Sequence, residues 1–255
     1  APMIRRELRA WLVRAGLGLA AGGCGPPDTP AGGTGGTGAA AGQPGGGTGG
    51  TLTLSNNISI TGGTGSITLQ GATITQNSGT VNGGSGTVLI DSNDNSVSLA
   101  GTVTSSNSGT AITIRDATTV TLGGDVTATN SGGDIAIGAS GGNAISGTIS
   151  QTAGKITAGD LLAVVGSSNT VSLSQNTNNV SRITSSGTGA FTYVDADSVT
   201  LEDISASGNV NVSTVAATGD IVVDSVVAAS NTITLTAGDE IKESGGGDVG
   251  IDIRG

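Results

Sequence analysis

The sequence predicts an all-β fold: a parallel β-helix solenoid of about nine coils, at roughly 22–23 residues per coil, preceded by a disordered leader and linker. Three observations predict it. First, "SVSLAGTVTSSNSGTAITIRDAT" (Ser96 to Thr118) is followed directly by "TVTLGGDVTATNSGGDIAIGASG" (Thr119 to Gly141), and the two match in register at Val97/Val120, Leu99/Leu122, Gly101/Gly124, Val103/Val126, Asn107/Asn130, Ile112/Ile135 and Ile114/Ile137. Second, short runs such as "TLTL", "SITL", "ATIT", "TVTL", "DIAI" and "TITL" alternate apolar and polar residues with period two, as half-buried strands do. Third, Gly makes up 47 of 255 residues while Phe, Tyr and Trp occur once each, so the core must be narrow enough for Val, Ile, Leu and Ala to fill.

The elements follow in chain order. Residues 1–24, "APMIRRELRAWLVRAGLGLAAGGC", run from a basic start through a weakly apolar stretch to small residues, the layout of an export signal. Arg5-Arg6 resembles a twin-arginine signal. "AAGGC" resembles a lipobox that would lipidate Cys24, although Ala21 stands where Leu is usual and Arg14 interrupts the apolar region. Residues 25–50, "GPPDTPAGGTGGTGAAAGQPGGGTGG", contain no Val, Ile, Leu or aromatic and are expected to form a flexible tether. Residues 51–255 carry the repeats. Equivalent runs lie 21 apart from Ile67 to Val88, 24 from Val88 to Ile112 and 23 from Ile112 to Ile135. Between Asn143 and Asp197 the register loosens, and the step from Val171 to Val199 is wider than any of these.

Each coil is then two or three short strands and no helix, each strand pairing with its equivalent one coil away. Leucine-rich repeats, hexapeptide helices and propellers need a Leu framework, a six-residue beat or longer four-stranded units, none of which is present.

Charge narrows the function classes. The net charge is −10, and from Thr51 onward 17 acidic residues face five basic ones, Arg115, Lys155, Arg182, Lys242 and Arg254. An acidic body without a basic cluster is a poor nucleic-acid binder. It is expected to meet a membrane only through an N-terminal lipid anchor. With no His and one Cys, the chain has no Ser-His-Asp or Cys-His catalysis, no intramolecular disulfide and no zinc site on the usual ligands.

The runs "TGDIVVDSVVAASNTITLTAGDEIKESGGGDV" (Thr218 to Val249) and "GGDVTATNSGGDIAIGASGG" (Gly123 to Gly142) resemble the repeats of bacterial filamentous-haemagglutinin-like and autotransporter-passenger β-helices. The resemblance covers roughly residues 51–255. It implies a right-handed helix and a surface adhesin, with cell-surface or matrix glycans or proteins as partners. The Asn-Pro-Asn type secretion signature and a C-terminal barrel are missing, and "DVGIDIRG" brings no polar cap, so end-to-end self-association through strand edges is expected as well.

Several residues carry candidate chemistry. Some β-helices are polysaccharide lyases or hydrolases, for which the candidates are Arg115 with Asp116, Asp195 with Asp197, and Glu202 with Asp203. The plainer reading makes them outer-face residues. "DSNDN", with Asp91, Asn93, Asp94 and Asn95, is oxygen-rich like a Ca²⁺ loop but has Ser96 and Thr102 where an EF-hand needs Gly and Glu. Thr-x-Thr pairs at Thr51/Thr53, Thr73/Thr75, Thr102/Thr104 and Thr119/Thr121 suggest an ice-binding face. That column is expected to fail, because Thr102-Val-Thr104 becomes Asp125-Val-Thr127 one repeat on. Phe191 and Tyr193 are the only aromatics of the body, one of them expected to fill a wider part of the core.

The functional expectation is an exported extracellular or cell-surface solenoid of structural or adhesive role, without catalysis and without a cofactor, Ca²⁺ being the one ion considered. The alternatives are a carbohydrate-active enzyme and an ice-binding solenoid.

Overall fold

The computed structural model describes residues 50–61, 63–138, 144–244 and 253–254. The leader with Cys24 and nearly all of the linker lie outside these residues. Among the described residues there are strands and no helix, and every strand pairing is parallel.

The alternation read from the sequence is the alternation of burial. Ile67–Gln70 buries its first and third residues, and Thr73–Gln76 its second and fourth. These inward residues stack into columns. On a first face the column runs Ile67, Val88, Ile112, Ile135, Leu161, Ile183, Leu201, Val223 and Glu243. On a second face it runs Leu52, Ile74, Val97, Val120, Ile149, Val171, Phe191, Val210 and Ile233. Each column thus has nine levels joined by eight turns of chain. A third face carries Ile58, Val81, Val103, Val126 and Ile156. Burying one such side chain contributes about 1.5–3 kcal/mol, so the stacked columns supply the driving force that large aromatics supply in other domains.

The in-register matches at Val97/Val120, Leu99/Leu122, Val103/Val126, Ile112/Ile135 and Ile114/Ile137 are all stacked pairs. Gly101/Gly124 is a point of close approach: a Cβ on Gly124 would sit 2.2 Å from the Gly101 carbonyl oxygen. Asn107 and Asn130 repeat one turn, each Oδ1 accepting from the backbone N–H two positions on, of Gly109 and Gly132.

The loosened stretch has a different register from the one the spacing suggested. Val171 stacks on Phe191 and not on Val199. Val199 stacks on Ile221. The irregularity comes from one long coil, which separates Val120 from its partner Ile149, followed by shorter ones.

The short coils arise where the third face gives way. After Ile156 the pairings of Thr157 with Asn179 and Ala158 with Val180 run straight on into the first face, and the aliphatic column stops. There the Asn178 side chain accepts from the Ile156 N–H (2.9 Å), and the Asp195 carboxylate accepts from the Val180 N–H (3.0 Å). Two side chains therefore satisfy backbone donors that strand carbonyls would otherwise have satisfied. Beyond this point a short run between first and second faces appears, pairing Ile204 with Val227 and Val227 with Ile253.

Candidate binding face and charged corners

The acidic candidates fall at separate places. Asp91 and Arg115 are register partners on adjacent coils, so the Ca²⁺ reading and one enzyme reading meet at one corner of the first face. Arg115 Nε and Nη2 both donate to Asp91 Oδ2, at 3.1 and 3.0 Å, and Asp116 Oδ2 lies 3.9 Å from Nε. The Asp91 side chain is only 5% exposed, so its charge is held by the guanidinium. Ser92 Oγ ties the corner by donating to the carbonyls of Asn95 and Asp116. Asn93, Asp94 and Asp116 all have positive φ, 46°, 62° and 49°, as a sharp corner between two strand faces demands. Burial, reinforced by the Asp91 carboxylate, raises the Asp116 pKa above its ordinary 3.8, against the pull of Arg115. Asp91, Asn93, Asp94 and Asn95 do not form a cage: among the described residues no three His, Cys, Asp or Glu side chains converge on a metal position.

The second group does not converge either. Asp195 is fully buried and accepts from Tyr193 Oη (2.6 Å), the Val180 N–H and the Asp197 N–H (2.9 Å). Its carboxylate is a structural clamp at the end of the third face. Burial raises its pKa above 3.8 although all three donors favour the ion, and burial first, then Asp195, raises Tyr193 well above 10.0. Beside it Gln151 and Asn178 exchange amide hydrogen bonds at 2.8 and 2.9 Å, both buried. Phe191 and Tyr193 are both fully buried, so two rings, rather than one, fill the core here.

Glu202 accepts from Arg182 Nη1 at 2.7 Å and from Thr184 Oγ1 at 3.3 Å, while Asp203 accepts from Ser225 at 2.6 Å. Arg182 also approaches Asp160 at 3.6 Å, its register partner one level away. Further along, Lys242 donates to Asp220 as a separate outward pair. Sequence reasoning singled out Glu202 and missed its partner, because partnership depends on which residues share a level.

The outward side of the second face is different in kind. The residues after the inward apolar position form one column: Thr53, Thr75, Ser98, Thr121, Ser150, Ser172, Thr192, Asn211 and Thr234. The residues before it form a second: Thr51, Thr73, Ser96, Thr119, Thr148, Thr170, Ala190, Asn209 and Thr232. In that column the pairings Thr51 with Thr73 and Ser96 with Thr119 are direct, and the others follow by one-residue extension of the same register, except at Thr170 and Ala190, where the ladder shifts between Asn169 and Val171. None of these side chains is buried. Nine levels therefore present polar-apolar-polar triplets, broken only at Ala190, and none of the charged residues of 51–255 enters either column.

This overturns the argument against a threonine column. Thr102 and Thr104 belong to the third face, where they stack on Thr80 and Asn82, and Asp125 follows them there. Thr51/Thr53, Thr73/Thr75 and Thr119/Thr121 belong to the second face. The signal was in the sequence: the steps from Thr73 to Ser96 and from Ser96 to Thr119 are equal, and each is the length of the repeat itself.

Few hydroxyls of this face are spent on the protein. In the first column only Ser150 donates, weakly, at 3.5 Å to Thr121 Oγ1 and the Val120 carbonyl; among the described residues the other side chains of that column make no protein hydrogen bond. A shallow cavity of about 160 Å³ is lined by Thr192, Asn211 and Thr234 on one side and Val194, Ser213 and Thr236 on the other, a trough between adjacent outward columns.

Comparison with protein-family models, with curated proteins and with solved structures found no match for this chain.

Proposed function

We propose that the chain is an exported, extracellular or cell-surface rod of adhesive or structural role, which binds through its second face and carries out no chemistry. The observation that carries this reading is the pair of uncharged hydroxyl and amide columns, which run over nine levels with one break at Ala190 on a scaffold of parallel strands. A surface of that length suits many weak, repeated contacts, whose sum does not depend on one pocket. The export-like residues 1–24 and the tether-like residues 25–50 support placing such a rod outside the cell. The charged pairs on the first face and its corners serve solubility and coil-to-coil cohesion in this account.

The test is binding of the full chain to immobilised surface glycans and matrix proteins, with the double variant Thr121→Lys/Thr192→Lys on the second face and Thr127→Lys on the third. Binding that is lost in the former and kept in the latter is the expected outcome. Equal binding by all three removes the second face from the reading.

A further inference from the structure

We propose that the second face binds ice, the ligand being the surface of crystalline water; this rests on the reading of that face as the binding surface and names what it takes. The argument starts from spacing. Neighbouring levels of a parallel ladder lie about 4.8 Å apart, and positions i and i+2 of one strand lie roughly 6.7 Å apart. Thr, Ser and Asn at those positions therefore form a two-dimensional polar lattice, eight steps and about 38 Å long.

Three features suit that lattice to ordered water rather than to a charged partner. First, each hydroxyl offers one donor and two acceptor sites, and a water layer held on such a grid keeps the donor-and-acceptor character a growing crystal needs. In the first column most of the hydroxyls are available, since only Ser150 and Thr121 pair within the protein, weakly, at 3.5 Å. Second, no ionic side chain sits in either column, so no tightly held hydration shell disrupts the grid. The first face, with Asp134, Asp160, Arg182 and Glu202, fails this criterion. Third, the grid is rigid. The pairings that begin on the second face are unshifted, and the register shifts fall on the first face or the corner leading from it, except one between Asn169 and Val171 that touches the Thr170/Ala190 level. The β-branched Thr side chains have few rotamers to lose, so ordering them on binding costs little.

The trough between Thr192/Asn211/Thr234 and Val194/Ser213/Thr236 extends the polar surface beside the first column. Thr occupies both ranks at Thr51/Thr53, Thr73/Thr75, Thr119/Thr121 and Thr232/Thr234, and those levels are the strongest part of the grid.

The test is partition of the full chain into slowly grown ice alongside a globular reference protein, together with thermal hysteresis of the same solutions. The expected result is a several-fold enrichment in the ice over the reference and a measurable freezing gap. Both should fall several-fold in Thr121→Lys/Thr192→Lys and persist in Thr127→Lys, with melting curves showing all three folded. Exclusion of the parent from ice to the same degree as the reference overturns the proposal, as does undiminished enrichment of the folded double variant. If the parent is excluded from ice yet binds immobilised glycans through the second face, the ice assignment falls and the adhesive reading stands. If the double variant also matches the parent in glycan binding, both fall.

Discussion

The first and second faces share one inward rule and differ in every outward respect. Inward, both stack aliphatic residues over most of their nine levels, Ile67 to Val223 on one and Leu52 to Ile233 on the other. Outward, the first face alternates Thr68, Leu89, Thr113, Ala136 and Leu162 and gathers the ion pairs of Arg115 and Arg182, while the second repeats Thr, Ser or Asn at nearly every level. The inward columns are what fold the chain, since any aliphatic residue of fitting size serves there. The outward columns are free to vary, so the uniformity of one of them, against the mixture on the other, is the observation on which the proposed binding face rests.

The largest expected effect breaks what the faces share. Ile112→Asp or Ile135→Asp places a carboxylate between aliphatic neighbours on both sides, at positions that are 0% and 1% exposed. The cost of an unpaired buried ion is several kcal/mol, a large part of the total stability of a domain. Each variant should lose its cooperative melting transition by circular dichroism. A parent-like transition would mean that the inward assignment is wrong.

Next comes the clamp where the third face ends. Tyr193→Phe removes the hydroxyl that donates to the buried Asp195 carboxylate and should cost about 1–3 kcal/mol in chemical denaturation. A change within experimental error would show that the other two donors suffice. The same clamp sets a pH dependence. Because burial raises the folded pKa of Asp195 above 3.8, the folded chain holds that proton more tightly than the unfolded chain does. Its contribution to stability is complete below 3.8 and is lost as pH rises through the raised folded value. Asp116 and Asp134 are shifted in the same direction, also with burial as the first cause. Acidification from neutral pH into the window just above 3.8 should therefore raise the melting temperature, and Asp195→Asn should flatten that rise. A parent that loses stability throughout the window would contradict the assignment.

Smaller still is the effect of Arg182→Ala. Its pairs with Asp160 and Glu202 are half exposed, so stability should fall by less than about 1 kcal/mol and the loss should shrink in high salt. Smallest is Thr121→Lys on the second face, which should leave stability within about 0.5 kcal/mol of the parent while changing what the face binds.

Most of the fold is legible in the sequence because its driving force is local and periodic. The in-register match that pairs Val97 with Val120 and Ile112 with Ile135 states both the strand and its stacking partner. Legibility fails where the coil length changes. Nothing in "NTNNVSRITSSGTGAFTYVDAD" announces that Asn178 and Asp195 will take the place of strand carbonyls, because those contacts join distant parts of the chain and use side chains as acceptors. The candidate face was half visible. The Thr-x-Thr pairs stand out, but which of them share a column depends on which of three faces each occupies. Asp125, on the third face, masked a column that the second face keeps intact.

The central claim is that register, and a distance along the column tests it directly. Spin labels at Thr75→Cys and Thr192→Cys, in a Cys24→Ser background, sit five levels apart in the same outward column. Five steps of the ladder place their Cα atoms about 24 Å apart. A single narrow pulsed-resonance distribution centred near that value, widened only by the reach of the labels, is the predicted result. A broad distribution, or one centred a coil or more away, would contradict the column and with it the face built upon it.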